Sequence, residues 1–210
     1  MENCDGCNLH CSRTQIVYPT RCEPNRILAI GEAPGIEEDD CGQGFVGKAG
    51  KQLDALLFEH NLHRGRDYGV ANIVRCHPPQ DRPPRRDEKD ACIPYLVKTI
   101  IEFHPRVLLL VGKTAASEFM GRGTLYDHIK KASDSPILDI NRSKMTLRKT
   151  IEKLDTAHFI NGIIIVPMPH TSPLAWNRKA KDGRAWKDIG IEQIGYASGL
   201  LMTAGPSPDR

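Results

Sequence analysis

The sequence predicts an α/β domain in which helices cover both faces of a parallel sheet. Two patterns carry that prediction: short apolar runs of strand length, and helically spaced apolar residues in the stretches between them. The length agrees, because 210 residues suffice for one full domain of this kind.

Residues 26–31 (RILAIG) form a short apolar run closed by glycine, a buried-strand signal. Residues 49–62 place Leu53, Leu56 and Leu57 at helical spacing, and residues 68–74 predict a second strand. Four prolines in residues 78–86 (PPQDRPPRR) prevent regular pairing and predict an extended loop. A helix over 87–103 follows, with Asp87 and Glu88 in its first turn, where they complement the helix dipole. A third strand is expected over 106–111, a short helix over 113–120, a fourth strand over 163–166 and a last helix over 185–202. Residues 121–161 are polar, carry Lys130, Lys131, Arg142, Lys144, Arg148 and Lys149, and show no readable period. They are expected to form an insertion in a single domain whose residues 1–25 make an arm.

Composition narrows the function classes. Hydrophobic residues make up 40% and charged residues 26%, which excludes a mainly disordered or fibrous chain. The longest apolar run, 107–111, is far below the roughly 20 residues of a membrane span. The amino terminus, MENCDGCNLHC, is polar and does not read as a secretory signal, so an intracellular protein is expected. A net charge of +3 permits a local basic patch without demanding one.

Seven cysteines are an odd number in clusters, a pattern that favours metal or cluster ligation over disulfides. Cys4 and Cys7 form a C-x-x-C, and Cys76, at the end of a strand, and Cys92, in the next helix, have fifteen residues between them. Two such pairs can enclose a tetrahedral zinc or a [4Fe–4S] cluster, and the spacing leaves both open. Cys11 can substitute for one of the four; Cys41 is expected to pack in a loop as a small apolar residue.

In a parallel α/β sheet, ligands bind beyond the carboxyl ends of the strands. Four features sit there. Residues 31–39 (GEAPGIEED) form a tight loop whose backbone N–H groups can approach a ligand, yet its acidity argues against a phosphate cradle. Residues 42–50 (GQGFVGKAG) hold a single aromatic, Phe45, in a glycine-rich loop. Asn72 ends the second strand, where a planar amide can read a base edge. His170 follows the fourth strand in the segment PHTSPLAW.

Taken in order, GEAPG…ED, GxGFVGxAG, NIVRCxPP, ACxPYL and a strand followed by PHxS resemble the uracil-DNA glycosylase superfamily, most nearly its family 4 enzymes, which carry an iron–sulfur cluster. The resemblance runs from Cys4 to Trp176, with a gap after Gly121. It implies a three-layer αβα fold on a central four-stranded parallel sheet, a [4Fe–4S] cluster on Cys4, Cys7, Cys76 and Cys92, and a monofunctional enzyme that hydrolyses the bond between uracil and DNA. By the family pattern Phe45 stacks on the base, Asn72 reads its edge and His170 donates to uracil O2. The loop that includes Ala33 and Gly35 supports the same oxygen through backbone N–H groups. Glu32 positions the water, Glu38 helps exclude thymine, and Leu174, with Trp176 as a rival, fills the gap left by the flipped base. Arg82, Arg85 and Arg86, together with Arg178, Lys179 and Lys181, are expected along the DNA backbone.

Three departures from the family pattern bear on base specificity: Gly44 where a proline usually precedes the aromatic, Thr171 in place of the proline of His-Pro-Ser, and a longer segment between the third and fourth strands. Ala33 stands where other families of the superfamily carry an activating Asp or Asn, which bears on the water-positioning role of Glu32. The implied partner is uracil-containing DNA, bound by a monomer. The rival reading is a superfamily member that binds DNA or a protein without turnover.

Overall fold

The structure, a computed structural model, describes residues 4–202. Its elements run β1 (Ile27–Gly31), α1 (Ile36–Cys41), α2 (Lys48–Phe58), β2 (Tyr68–Asn72), α3 (Arg86–Phe103), β3 (Val107–Val111), α4 (Lys113–Met120), α5 (Leu125–Asp134), α6 (Met145–Lys153), α7 (Ala157–Ile160), β4 (Ile164–Met168), α8 (Pro173–Trp176) and α9 (Trp186–Met202). The four strands form one parallel sheet in the order β2-β1-β3-β4. Burial on both faces explains their near-continuous apolar character, since a parallel strand has no solvent side.

Successive side chains alternate between two cores, as the period of a strand requires. Leu28, Ile30, Leu108, Leu110 and Ile165 face α3, α4 and α6 through Ile93, Leu96, Phe119 and Leu147. Ile27, Ala29, Val107, Leu109 and Val166 face α2 and α9 through Leu53, Leu57, Ile194 and Ala197. Each fully buried Leu, Ile or Val contributes about 1.5–3 kcal/mol of transfer energy, so these two layers dominate stability.

Both edges of the sheet are covered. Thr20 pairs antiparallel with Val70, exchanging N–H···O bonds of 2.9 and 3.1 Å. On the far side Ile137 pairs antiparallel with Ile164, with Leu138 N–H donating to Ile163 O at 2.9 Å and Ile165 N–H to Pro136 O at 2.7 Å.

The sequence did not reveal α1 or the helices of the insertion. In α1 the run Ile36–Cys41 is acidic, and the helix forms because two of its carboxylates turn inward: Glu38 and Asp39 are buried. Cys41 closes that helix and is exposed, which corrects its expected packing in a loop. In the insertion, Thr124 and Asp127 form a reciprocal cap that starts α5, and Ile129 and Ala132 give it a narrow apolar face. Glu118 of α4 lies buried between Lys144 and Lys89, and Thr146 Oγ1 donates to Asp90 Oδ1 at 2.7 Å, tying the insertion to α3 and α4.

Candidate active site

The register brings four strand ends level. Gly31 pairs with Asn72, Ile30 with Leu110, and Val111 with Met168, so the segments after β1, β3 and β4 leave the sheet on one rim beside Asn72. Glu32, Asn72, Gly112 and His170 all lie on that rim.

At Gly31 the Phe45 ring and the Asn72 amide come together. A methyl group there would stand 2.5 Å from Asn72 Oδ1 and 2.7 Å from Phe45 Cζ. The missing side chain lets an aromatic edge and a carboxamide meet, the pairing needed to stack a planar heterocycle and read its edge. Phe45 and Asn72 are each 9% exposed, so both present only a tip to a ligand.

Three carboxyl-to-amide contacts shape the loops around this point. Glu38 Oε1 accepts from Val46 N–H at 2.9 Å and Gly47 N–H at 2.7 Å, while Oε2 accepts from Gly35 N–H at 3.0 Å. One carboxylate thus joins the loop after β1 to the loop that carries Phe45, and the Gly35 amide is spent on it. Phe45 itself has a φ of 58°, a left-handed conformation that disfavours bulky residues. The Arg64 guanidinium donates to the carbonyls of Gly44 and Phe45, both at 2.7 Å. Sequence reading missed Arg64, because nothing local marks a side chain whose partners lie some twenty residues earlier.

His170 is oriented by its own loop. Ser172 N–H donates to Nδ1 at 3.1 Å, so a neutral ring carries its proton on Nε2. Burial holds the imidazole below its ordinary pKa, partly opposed by the negative charge of Glu32. The ring is therefore a neutral donor at physiological pH, with Glu32 near enough to be felt. Gly112, at φ 90°, leaves room for it; a Cβ there would lie 3.4 Å from His170 Cβ. Thr171 is buried, and its Oγ1 donates to Ala49 O at 2.6 Å, fixing the His170 loop to α2.

Beyond the pocket, Leu174 is 72% exposed at the start of α8, whereas Trp176 is packed on Gly190 and is no wedge. Among the arginines of the proline-rich loop, Arg82 is held by the buried Glu88, with Nη1 donating to Oε2 at 2.8 Å. Arg85, Arg178, Lys179 and Lys181 are exposed, and so is Arg86, beside Asp90. Ala33 is half-buried in the loop after β1.

The cysteines of the arm meet those of the proline-rich loop and α3. Cys76 and Cys92 are buried, and Cys4 and Cys7 pack on the same apolar cluster. The groups sense one another: burial first, then the negative charge of Cys76 and Cys7, pushes Cys92 up to about 11. Arg13 Nη1 donates to Cys76 Sγ at 3.3 Å. Among the described residues, no three His, Cys, Asp or Glu side chains draw together around a single metal ion. A zinc would hold every sulfur about 2.3 Å from one point, whereas a cubane cluster binds each thiolate through its own iron and accepts a wider set. Four thiols with a neighbouring guanidinium fit such an anionic cluster. Cys11 is exposed, its Sγ 3.4 Å from His10 Nε2.

Residues 19–190 match the uracil DNA glycosylase superfamily. A type-4 uracil-DNA glycosylase of Thermotoga maritima is 39% identical over 205 residues, 98% of this chain and 93% of that protein. One of Pyrobaculum aerophilum is 39% identical over 125 residues, 58% of this chain and 63% of its own length, and one of Sulfurisphaera tokodaii is 38% identical over 176 residues, 83% and 72%. With Asn72 and His170 on one rim of strand ends, the Phe45 ring beside Asn72, and a match extending across most of its length, the chain belongs to the uracil DNA glycosylase superfamily.

Proposed function

We propose that the protein is a monofunctional DNA glycosylase that hydrolyses the N-glycosidic bond of uracil in DNA, leaving an abasic site and so initiating base-excision repair. The meeting of the Phe45 ring and the Asn72 amide over Gly31 carries this reading. A base rotated out of the stack enters on that side. Phe45 stacks on it, and the Asn72 carboxamide, both donor and acceptor, pairs with uracil N3–H and O4.

Bond cleavage leaves negative charge on the departing base and positive charge on the sugar. The Nε2–H of neutral His170 donates to uracil O2 as that charge grows, a stabilisation that needs no proton transfer. Glu32 holds the water that attacks the sugar carbon, and its charge also favours the cationic sugar. The backbone at Ala33 lies beside the same oxygen, while Glu38 and Gly35 set the loop's shape. Leu174 enters the space the base has left, and Arg85, Arg86, Arg178 and Lys179 hold phosphates, with Arg82 bracing the loop through Glu88.

Cys4, Cys7, Cys76 and Cys92 would hold a [4Fe–4S] cluster, whose contribution is to fasten the arm to α3 rather than to react. The proposed substrate is uracil in single- or double-stranded DNA, and the protein acts as an intracellular monomer. No helix among the described residues is long and apolar enough to cross a membrane.

The deciding experiment is cleavage of a labelled oligonucleotide with one uracil, followed by alkali, for wild type and Asn72→Ala with a thymine-only control. Uracil-dependent breaks that fall about a hundredfold in the variant are expected, the scale of one lost transition-state contact. Intact strands from cluster-loaded wild type would instead favour a binding protein without turnover.

A further inference from the structure

We infer that Arg64 is the residue that positions the stacking platform, holding the Phe45 ring in place and so setting affinity for the base. The inference rests on the reading of the pocket proposed above and adds to it a residue outside the pocket.

Phe45 occupies the left-handed region at φ 58°. For a non-glycine residue this is a strained conformation, and it persists only where the surroundings over-determine the backbone. The preceding residue is Gly44, the most permissive choice available, so the chain itself supplies no stiffness here. The stiffness comes from elsewhere. Arg64 Nη1 donates to Gly44 O and Nη2 to Phe45 O, each at 2.7 Å, so one planar fork holds two successive carbonyls.

The fork is itself held. Asp54 Oδ1, on α2, accepts from Arg64 Nε at 3.1 Å and from Nη2 at 2.7 Å. The same oxygen accepts the Tyr68 hydroxyl from β2. Burial, then the Asp54 charge, pushes that hydroxyl well above its usual pKa, so it remains a donor. From the opposite side Gly50 backs onto the Phe45 carbonyl so closely that any side chain there would collide with it. The peptide before and after the strained residue is thus gripped between α2, β2 and one guanidinium. The ring lies over Gly31 against the Asn72 amide. Lysine cannot replace this grip, since one ammonium offers no fixed planar fork.

The test compares wild type with Arg64→Met, Arg64→Lys and the milder Asp54→Asn, which leaves the two carbonyl bonds in place. Four quantities are read: amide exchange at Val46 and Gly47, inhibition by free uracil, KM and kcat on a uracil-containing single strand, and affinity for the same strand without uracil. In Arg64→Met the inhibition constant and KM rise together by about tenfold, the order of one hydrogen bond's net worth, because the clamp acts on the base only through the ring it positions, with kcat within about threefold of wild type. Amide exchange at residues 46 and 47 quickens and affinity for uracil-free DNA is unchanged. Arg64→Lys fails to restore uracil affinity, and Asp54→Asn moves it by about threefold.

A folded Arg64→Met with wild-type exchange and uracil inhibition overturns the inference. So does a loss confined to kcat, or weakened binding of uracil-free DNA, which would make Arg64 a phosphate contact. If wild type neither binds nor releases uracil, the glycosylase reading fails, while the exchange rates at 46 and 47 still decide the clamp.

Discussion

At Gly31 the absence of a side chain is the functional group. Gly31→Ala would put a methyl 2.5 Å from Asn72 Oδ1 and 2.7 Å from Phe45 Cζ. We expect about 1–3 kcal/mol of lost stability, the usual range for overpacking, and at least a tenfold fall in uracil release, checked by denaturant unfolding beside the cleavage assay. His170 gives a pH prediction with a definite sign. Its pKa is depressed in the folded protein, so the unfolded chain takes up the proton first as pH falls. The stability contributed by the neutral ring is therefore present above about 6.5 and declines below it, while the neutral donor persists to more acid pH than a free histidine would. Because the Glu32 charge opposes the shift, Glu32→Gln should lower the His170 pKa further, which a proton NMR titration of the ring will show. Asn72, Phe45 and His170 were legible in the sequence because strand ends and glycine loops announce a rim. Arg64 and the place of Gly31 were not, since each is defined by partners distant along the chain.

At the scale of elements, α1 joins two parts of the molecule through adjacent carboxylates. Glu38 takes the amides of Gly35, Val46 and Gly47, and Asp39 accepts from Thr14 N–H at 2.8 Å and Gln15 N–H at 3.5 Å. The cysteine arm and the pocket loops hang from the same short helix. Its sequence reads as a solvated acidic turn, because nothing in a run of charges tells which will be buried against backbone amides. The insertion was opaque for a related reason: α5 and α6 each bury few apolar residues, and their anchors are polar. Glu118 tests that account. Glu118→Gln would leave Lys89 and Lys144 without their buried countercharge. A loss of about 2 kcal/mol is expected, below the range for a fully buried pair because Lys144 is partly exposed. Calorimetric unfolding measures it, and turnover per folded molecule should not change.

For the molecule as a whole, the layered sheet was the most legible feature, because four short, largely apolar runs admit few arrangements other than a sheet covered on both sides. The joining of the arm to that sheet was legible only as a set of cysteines. Cys92→Ser is expected to lower folded yield and cluster absorbance together, with uracil release lost in proportion; normal yield of a colourless protein would show that the arm folds without its fastening. The arm also supplies Thr20, the residue that satisfies the backbone of β2 on the outer side. A chain that keeps both flanking segments in place offers a neighbouring molecule no row of unpaired amides. One whose arm has come free exposes the edge of β2, and strand edges recruit copies of themselves. Loss of the fastening would then appear as self-association during expression, alongside the fall in folded yield.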